Sequence, residues 1–223
     1  MKSLQEFSRV HRPIQDAESY YSSLSRIYDL LASSEKRFIR LGLALLHPLP
    51  GEMILEIGYG TGYAQLQITR AVETSLSVGL DLSSGMARVA QKRLSRLGTL
   101  DQVGLVQSDT MPIPFQDGHF DGIFTSFTLE LFDSPHIPIV LGECHRVLKP
   151  GGRLVIVSLS KDRPLGLMGR MYESFHDNFP KLADCRPIPV RHLVEEAGFN
   201  IKESYEYKMW GIPVIIVSAS LNN

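Results

Sequence analysis

The segment Glu56-Ile57-Gly58-Tyr59-Gly60-Thr61-Gly62 sets an acid and three glycines at alternate positions behind a short apolar run. Glycine accepts positive φ and lets a ligand approach the backbone closely. The pattern therefore suits a strand, a tight turn and a helix N-terminus that hold a nucleotide cofactor at the carboxyl end of a sheet. It departs from the dinucleotide fingerprint G-x-G-x-x-G, because the third glycine comes one position early and Tyr63 stands where glycine is required. It also departs from the Walker A pattern, since no Gly-Lys-Ser/Thr follows. Taken alone, such a loop also fits a strand-to-helix turn that binds nothing. It does not stand alone. Three later apolar runs end in Asp81, Asp109 and Ser126. An acid ending a second strand can accept both hydroxyls of a ribose. Asp109 can accept from the exocyclic amine of a base, and Leu82 and Met86 can wall an adenine.

Those residues share one edge only if the runs are parallel strands. The spacing predicts strands over 53–57, 76–81, 103–107, 120–126 and 153–158, with helices over 62–72, from Ser83 or Ser84 to Leu97, and from Ser134-Pro135 to Leu148. Tyr63, Leu66 and Ala71 are the expected packing positions of the first of these helices. Lys149-Pro150-Gly151-Gly152 is expected to close the third. Upstream, helical faces are expected over 16–33 and, separately, over 35–46. Downstream of the fifth strand, a helix at 187–197 precedes two strands near 200–208 and 213–219. The four residues between those two strands cannot carry a crossover, so they must be antiparallel. Strands alternating with helices imply an α/β sheet with helices on both faces.

Composition narrows the functions. The 223 residues include 23 Lys+Arg and 24 Asp+Glu, a net charge of −1, and 43% are hydrophobic. That balance argues against nucleic-acid binding through a basic face. No apolar run approaches the ~18 residues of a membrane span. The first residues lack the apolar core of a secretory signal, and two cysteines make neither a disulfide framework nor a zinc site. The expectation is a cytoplasmic protein, monomeric or a homodimer, with no metal, no transmembrane segment and no nucleic-acid partner.

Ile54 to Gly62, ILEIGYGTG, resembles the first motif of the class I S-adenosylmethionine-dependent methyltransferases. GLDLSSGMARVAQKRL, QSDTMPIPF, FDGIFTSFTLELF and HRVLKPGGRLVIV resemble their later motifs, in the same order and over about residues 50–160. Within the class, the chain is similar to the ubiquinone/menaquinone biosynthesis and phospholipid N-methyltransferase-like enzymes, and Arg26-Ile27-Tyr28-Asp29-Leu30 resembles their early motif. The resemblance implies a Rossmann-like, seven-stranded sheet of order 3-2-1-4-5-7-6 forming a single methyltransferase domain. Residues 1–48 would be a helical cap and 160–186 an insertion over the site. It implies S-adenosyl-L-methionine as cofactor and S-adenosyl-L-homocysteine as product. Glu56, Gly58, Gly60 and Gly62 would surround the methionine moiety and ribose edge. Asp81 would hold the ribose hydroxyls, Leu82 and Met86 the adenine face, and Asp109 and Thr110 the adenine edge. Ser126 would lie near the methionine, Tyr28 near the cofactor, and the bulky Tyr59 would narrow or cover one side of the pocket.

The implied reaction delivers a methyl group to a small-molecule acceptor such as a quinol, a phospholipid amine or another metabolite. It depends on holding the acceptor on axis in a dry site more than on a strong catalytic acid or base. No catalytic residue is therefore assigned. Candidate proton acceptors are His176, Glu130, Tyr21 and Tyr28. Met168, Met171, Phe175 and Phe179 would give the insertion an apolar lining. The competing functions are an NAD-dependent oxidoreductase and a cofactor-binding regulatory protein without turnover.

Overall fold

A computed structural model of the chain describes residues 25–73, 75–163, 166, 169 and 185–221, with side chains from Ser34 onward. Seven strands form one sheet: β1 Ile54–Ile57, β2 Ser77–Asp81, β3 Val103–Gln107, β4 Phe120–Ser126, β5 Leu148–Leu159, β6 Phe199–Met209 and β7 Ile212–Leu221. Their spatial order is β3-β2-β1-β4-β5-β7-β6. The first five pair in parallel, whereas β7 runs antiparallel to both β5 and β6. The β6–β7 turn is Trp210-Gly211, both at positive φ (51° and 83°). Two left-handed residues match the twist of the flanking strands, which is why so short a link closes a hairpin.

The helices are α1 Ser25–Leu46, α2 Tyr63–Val72, α3 Ser84–Arg96, α4 Ile137–Val147 and α5 Val190–Glu196. Successive strand residues point to opposite faces. Leu55, Ile123, Ile156 and Val217 join the core under α4 and α5. Ile54, Phe124, Val157 and Ile216 join the core under α1 and α2, with Phe38, Leu43, Ala64 and Ile68. The sheet is apolar on both faces because both are covered.

Several elements differ from the sequence expectation. Ser25–Leu46 is one unbroken helix, because Ser34 and Glu35 continue a face completed by Phe38, Ile39, Leu43 and Leu46 against β4, β5 and β7. On α2 the buried positions are Ala64, Gln65, Ile68, Thr69 and Val72, one step round from Tyr63, Leu66 and Ala71. Gln65 and Thr69 are buried together because both reach the Ser77 hydroxyl, at 2.8 and 2.6 Å, although the Gln65 side-chain oxygen is left without a partner. Helix α4 begins at Ile137 with Pro138 in its first turn, after Pro135. Lys149 to Gly152 already belong to β5.

The HRVLKPGGRLVIV segment is a set of fasteners. Arg153 pairs with Glu52 at 2.6 Å, donates to the His47 carbonyl at 3.0 Å and also donates to the Leu46 carbonyl, closing the C-terminus of α1. Lys149 pairs with Asp121 at 2.7 Å. Arg146 pairs with Glu143 at 2.7 Å and donates to the carbonyls of Ile113 and Phe115, fixing the loop after β3.

Candidate functional site

The carboxyl ends of β1, β2 and β4 converge where the glycine loop leaves the sheet. Gly58 sits at φ 74°, and a Cβ there would lie 2.1 Å from Thr128 Oγ1. Only glycine allows the loop to pass so close to the chain beyond β4. Gly62 caps α2 at φ 74°, and its missing side chain leaves room for Ala90 of α3, 3.0 Å from the ideal Cβ. The loop is pinned from two sides: the Gly58 amide donates to the Leu80 carbonyl at 2.7 Å, and the Gly60 amide to Asp81 Oδ2 at 2.8 Å. Asp81 Oδ1 accepts from the Ser83 amide at 2.8 Å. Burial outweighs these bonds and raises the Asp81 carboxyl above its ordinary range.

Glu56 is buried in the middle of the sheet edge, 2% exposed, and its Oε2 has no hydrogen-bond partner. Burial, then the nearby Asp81 charge, push its carboxyl well above the ordinary range, partly offset by the Gln65 amide. The Tyr59 ring, 3% exposed, lies against β2 at Gly79, whose ideal Cβ would be 2.7 Å from the ring, and its hydroxyl is also unpartnered. Desolvation, with Asp81 and Glu56 adding to it, raises the phenol.

A pocket opens over this floor. Glu56, Gly58, Tyr59, Gly60 and Ser126 line it, and Thr61 joins them, held at 2.8 Å by Arg93. Leu82 and Met86 flank the end of β2, the former exposed and the latter buried. Asp109 and Thr110 stand past β3 and outside that pocket; Asp109 accepts from the Thr110 amide at 2.7 Å, and the buried Thr110 hydroxyl has no partner. The Ser108 amide donates to the Asp81 carbonyl at 3.1 Å, which holds this segment beside β2. Tyr28 lies on α1, but its side chain is outside the described residues. Tyr21, Met168, Met171, Phe175, His176 and Phe179 also lie outside them.

One wall of the pocket comes from a residue that the sequence did not single out. Glu35 of α1 lines it together with Lys36 and Ile39. Glu35 sits on a helix whose polar positions read as a solvated face, so no local signal marks it. Beyond β4, Phe127 takes φ 49° and is buried. This left-handed step turns the chain so that Thr128 reaches Gly58 and Glu130 turns inward. Glu130 is fully buried and accepts from the Ser158 hydroxyl at 2.9 Å and the Leu159 amide at 3.1 Å.

Residues 54–152 match the family model described as a methyltransferase domain. The chain is 30% identical over 208 residues to the ubiquinone/menaquinone biosynthesis C-methyltransferase UbiE of Pseudomonas syringae pv. tomato, covering 92% of this chain and 76% of the relative. It is 34% identical over 173 residues to UbiE of Azotobacter vinelandii, covering 75% of this chain and 67% of the relative. The chain belongs to the class I S-adenosylmethionine-dependent methyltransferases of the UbiE type. It is 29% identical to the demethylmenaquinone methyltransferase of Oceanobacillus iheyensis over 78% of this chain and 71% of the relative. Among solved structures, the [4+2]-cyclase SpnF superposes with a TM-score of 0.75 at 16% identity, covering 94% of this chain and 97% of SpnF. A putative methyltransferase from Bacillus halodurans gives 0.69 at 18%, covering 81% of this chain and 97% of that one. These structures share the fold. A cyclase among them shows that the fold alone does not fix the reaction. This UbiE-type methyltransferase takes S-adenosylmethionine as cofactor and a small molecule as acceptor. No described helix is long and apolar enough to cross a membrane.

Proposed function

We propose that this methyltransferase acts on an aromatic quinol, methylating a ring carbon, and that its cofactor lies on the glycine loop between Glu56 and Asp81. One observation carries the placement: the buried, unpartnered Oε2 of Glu56 in the pocket lined by Gly58 and Gly60. A buried carboxylate oxygen without a donor is costly, and the ammonium of a methionine moiety would satisfy it. The remaining residues suit the same ligand. An ideal Cβ at Gly60 would meet nothing within 4 Å, so the backbone there is open to a ligand. Each Asp81 oxygen already accepts one amide and keeps a second lone pair for a ribose hydroxyl. Leu82 and Met86 would flank the base, with Asp109 and Thr110 at its edge and Ser126 near the methionine.

The cofactor supplies an electrophilic methyl group on a sulfonium sulfur. The chain's part is to orient and desolvate. Glu56 and Asp81 anchor the two ends of the ligand, and Tyr59 fills the volume beside β2 that water would otherwise enter. Ser126 and Thr61 line the pocket with hydroxyls. The quinol rests on what the relatives' names say those proteins act on, and a nearly neutral chain suits an uncharged acceptor. The test is incubation with methyl-deuterated S-adenosylmethionine and a short-chain demethylmenaquinol, followed by mass spectrometry. A product heavier by the deuterated methyl on a ring carbon is expected. Absence of transfer, under conditions where S-adenosylhomocysteine binds, would overturn the acceptor assignment.

A further inference from the structure

The net charge of −1 is unevenly spread over the molecule. Helices α2 and α3 carry Arg70, Arg88, Lys92, Arg93 and Arg96 and no acid. The acids that follow them, Glu73 and Asp101, lie past their C-termini. The crossovers β1–α2–β2 and β2–α3–β3 run the same way along the sheet, so both helices lie on one face. They meet where Ala90 packs against Gly62. Helix α1 covers the same face, since its core residues join those of α2, and it adds the exposed Arg37 and Arg40. On the opposite face α4 and α5 mix the signs, with Glu143 beside Arg146 and Arg191 near Glu195 and Glu196. Residues 1–24 hold three cations and three acids, and residues 164–184 two cations and three acids, so neither segment can cancel the basic excess.

Folding does not ask for this pattern. Arg88, Lys92 and Arg96 stand four positions apart on α3, all exposed, while Met86, Ala90 and Leu94 take the buried side. Like charges at that spacing weaken a helix, and an acid at position 92 would replace two repulsions with two attractions. Among the described residues these three cations make no ion pair. Aliphatic side chains are interleaved with them. Val89, seven positions before Arg96, is exposed on the same stripe, and Leu82 and Leu97 are exposed at the two ends of the helix. The basic face also reaches the rim of the pocket, which Lys36 of α1, Tyr63 of α2 and Arg93 of α3 all line.

We propose that the outer face of α3 docks the protein on an anionic phospholipid surface, with Arg88, Lys92 and Arg96 on the head groups and Val89 and Leu97 entering between them. Charge complementarity selects an anionic partner, and the exposed aliphatic side chains select a lipid surface. A bilayer interface dehydrates Val89 and Leu97 as it neutralises the cations, whereas a nucleic-acid backbone would reward the cations alone. Each cation brought to an anionic leaflet strengthens partition by about fivefold, and salt weakens it. The proposal stands apart from the assignment of the acceptor, but such docking would bring the pocket rim to the phase that holds an apolar one.

Co-sedimentation of the full chain with lipid vesicles tests this without cofactor or acceptor. Vesicles of phosphatidylcholine with about a third phosphatidylglycerol are expected to bind the protein at low salt, and vesicles of phosphatidylcholine alone are not. The triple variant Arg88→Gln, Lys92→Gln and Arg96→Gln should lose about fivefold in partition for each cation removed. Lys202→Gln with Lys208→Gln, at exposed positions of β6, should bind as the wild type does. Val89→Ser should weaken partition without changing its dependence on salt. Lys92→Glu should weaken partition while raising the melting temperature, an outcome that damage to the fold would not give. No binding to the anionic vesicles, equal binding to both kinds, or wild-type binding by the triple variant would each overturn the proposal. Binding to a single-stranded oligonucleotide in place of the vesicles would overturn it too, and would give the face to a nucleic acid.

Discussion

The amide of Gly60 donates to Asp81 Oδ2 at 2.8 Å, which ties the turn after β1 to the acid that ends β2. The acid is thus part of the loop's scaffold as well as a candidate ligand group. Its second oxygen, bound to the Ser83 amide, also orients the start of α3. A loop rich in glycine loses much conformational entropy when it is held still, and this carboxylate holds it before any ligand arrives.

Asp81→Ala should therefore weaken S-adenosylhomocysteine binding by about 1.5–3 kcal/mol, the range of charge-assisted hydrogen bonds, and should lower thermal stability too. Asp81→Asn keeps one acceptor oxygen and should lie between. Calorimetry and thermal melts separate the two effects, and an unchanged affinity in the alanine variant would refute the ribose assignment.

Gly58→Ala places a methyl 2.1 Å from Thr128 Oγ1 in a left-handed backbone conformation. Overpacking and the backbone penalty together should cost about 2–5 kcal/mol, read as a lower urea midpoint. Adding Thr128→Ala removes the nearest clashing atoms and should recover part of the loss. No recovery in the double variant would mean that the close approach of these two segments is not what requires glycine.

Stability should fall as pH rises from about 5 to 8. Glu35 and Glu130 are both raised to about 7 in the folded protein, so between the usual 4.5 and 7 the native state binds more protons than the unfolded chain. Native stability then decreases with pH across that window. Glu130→Gln keeps one acceptor, for the Leu159 amide, and turns the other position into a donor toward the Ser158 hydroxyl; it should remove part of the slope, with a gain of about 1–3 kcal/mol at pH 8. Urea midpoints at four pH values measure it; a wild-type slope of the opposite sign would contradict the raised Glu35 and Glu130 carboxyls.

Below pH 4.5 the sign reverses. Hydrogen bonding from Arg146 holds the Glu143 carboxyl below its ordinary range, offsetting its partial burial. Glu143 thus contributes stability that is present above about 4.5 and lost as pH falls through its lowered value. Arg146→Ala should shift acid unfolding upward in pH. It should also free the 111–117 segment, seen as faster amide exchange at Ile113, whose amide is held by Glu143 at 2.8 Å. Unchanged exchange there would show that the loop is fixed by other contacts.

Much of the architecture was legible before any coordinates. The apolar runs at Ile54–Ile57, Ser77–Asp81 and Phe120–Ser126 are buried on both faces, so their composition alone marks them as inner strands. The short link at Trp210-Gly211 forces an antiparallel hairpin, and the Glu56–Gly62 spacing marks the turn. Each of these signals is local, because strand burial, turn length and glycine placement act within a few residues. Packing decided what local patterns leave open. The direction in which α2 faces depended on Ser77 offering partners to Gln65 and Thr69, so polar residues went inward where the apolar pattern pointed to Leu66. The continuity of α1 through Ser34 and Glu35 depended on the sheet face beneath it. The raised Glu35 carboxyl depended on α1 packing over the sheet and on Glu130, far away in sequence, lying near enough to act on it. A carboxylate's proton affinity is set by what surrounds it in three dimensions, and that is a property that sequence spacing does not encode.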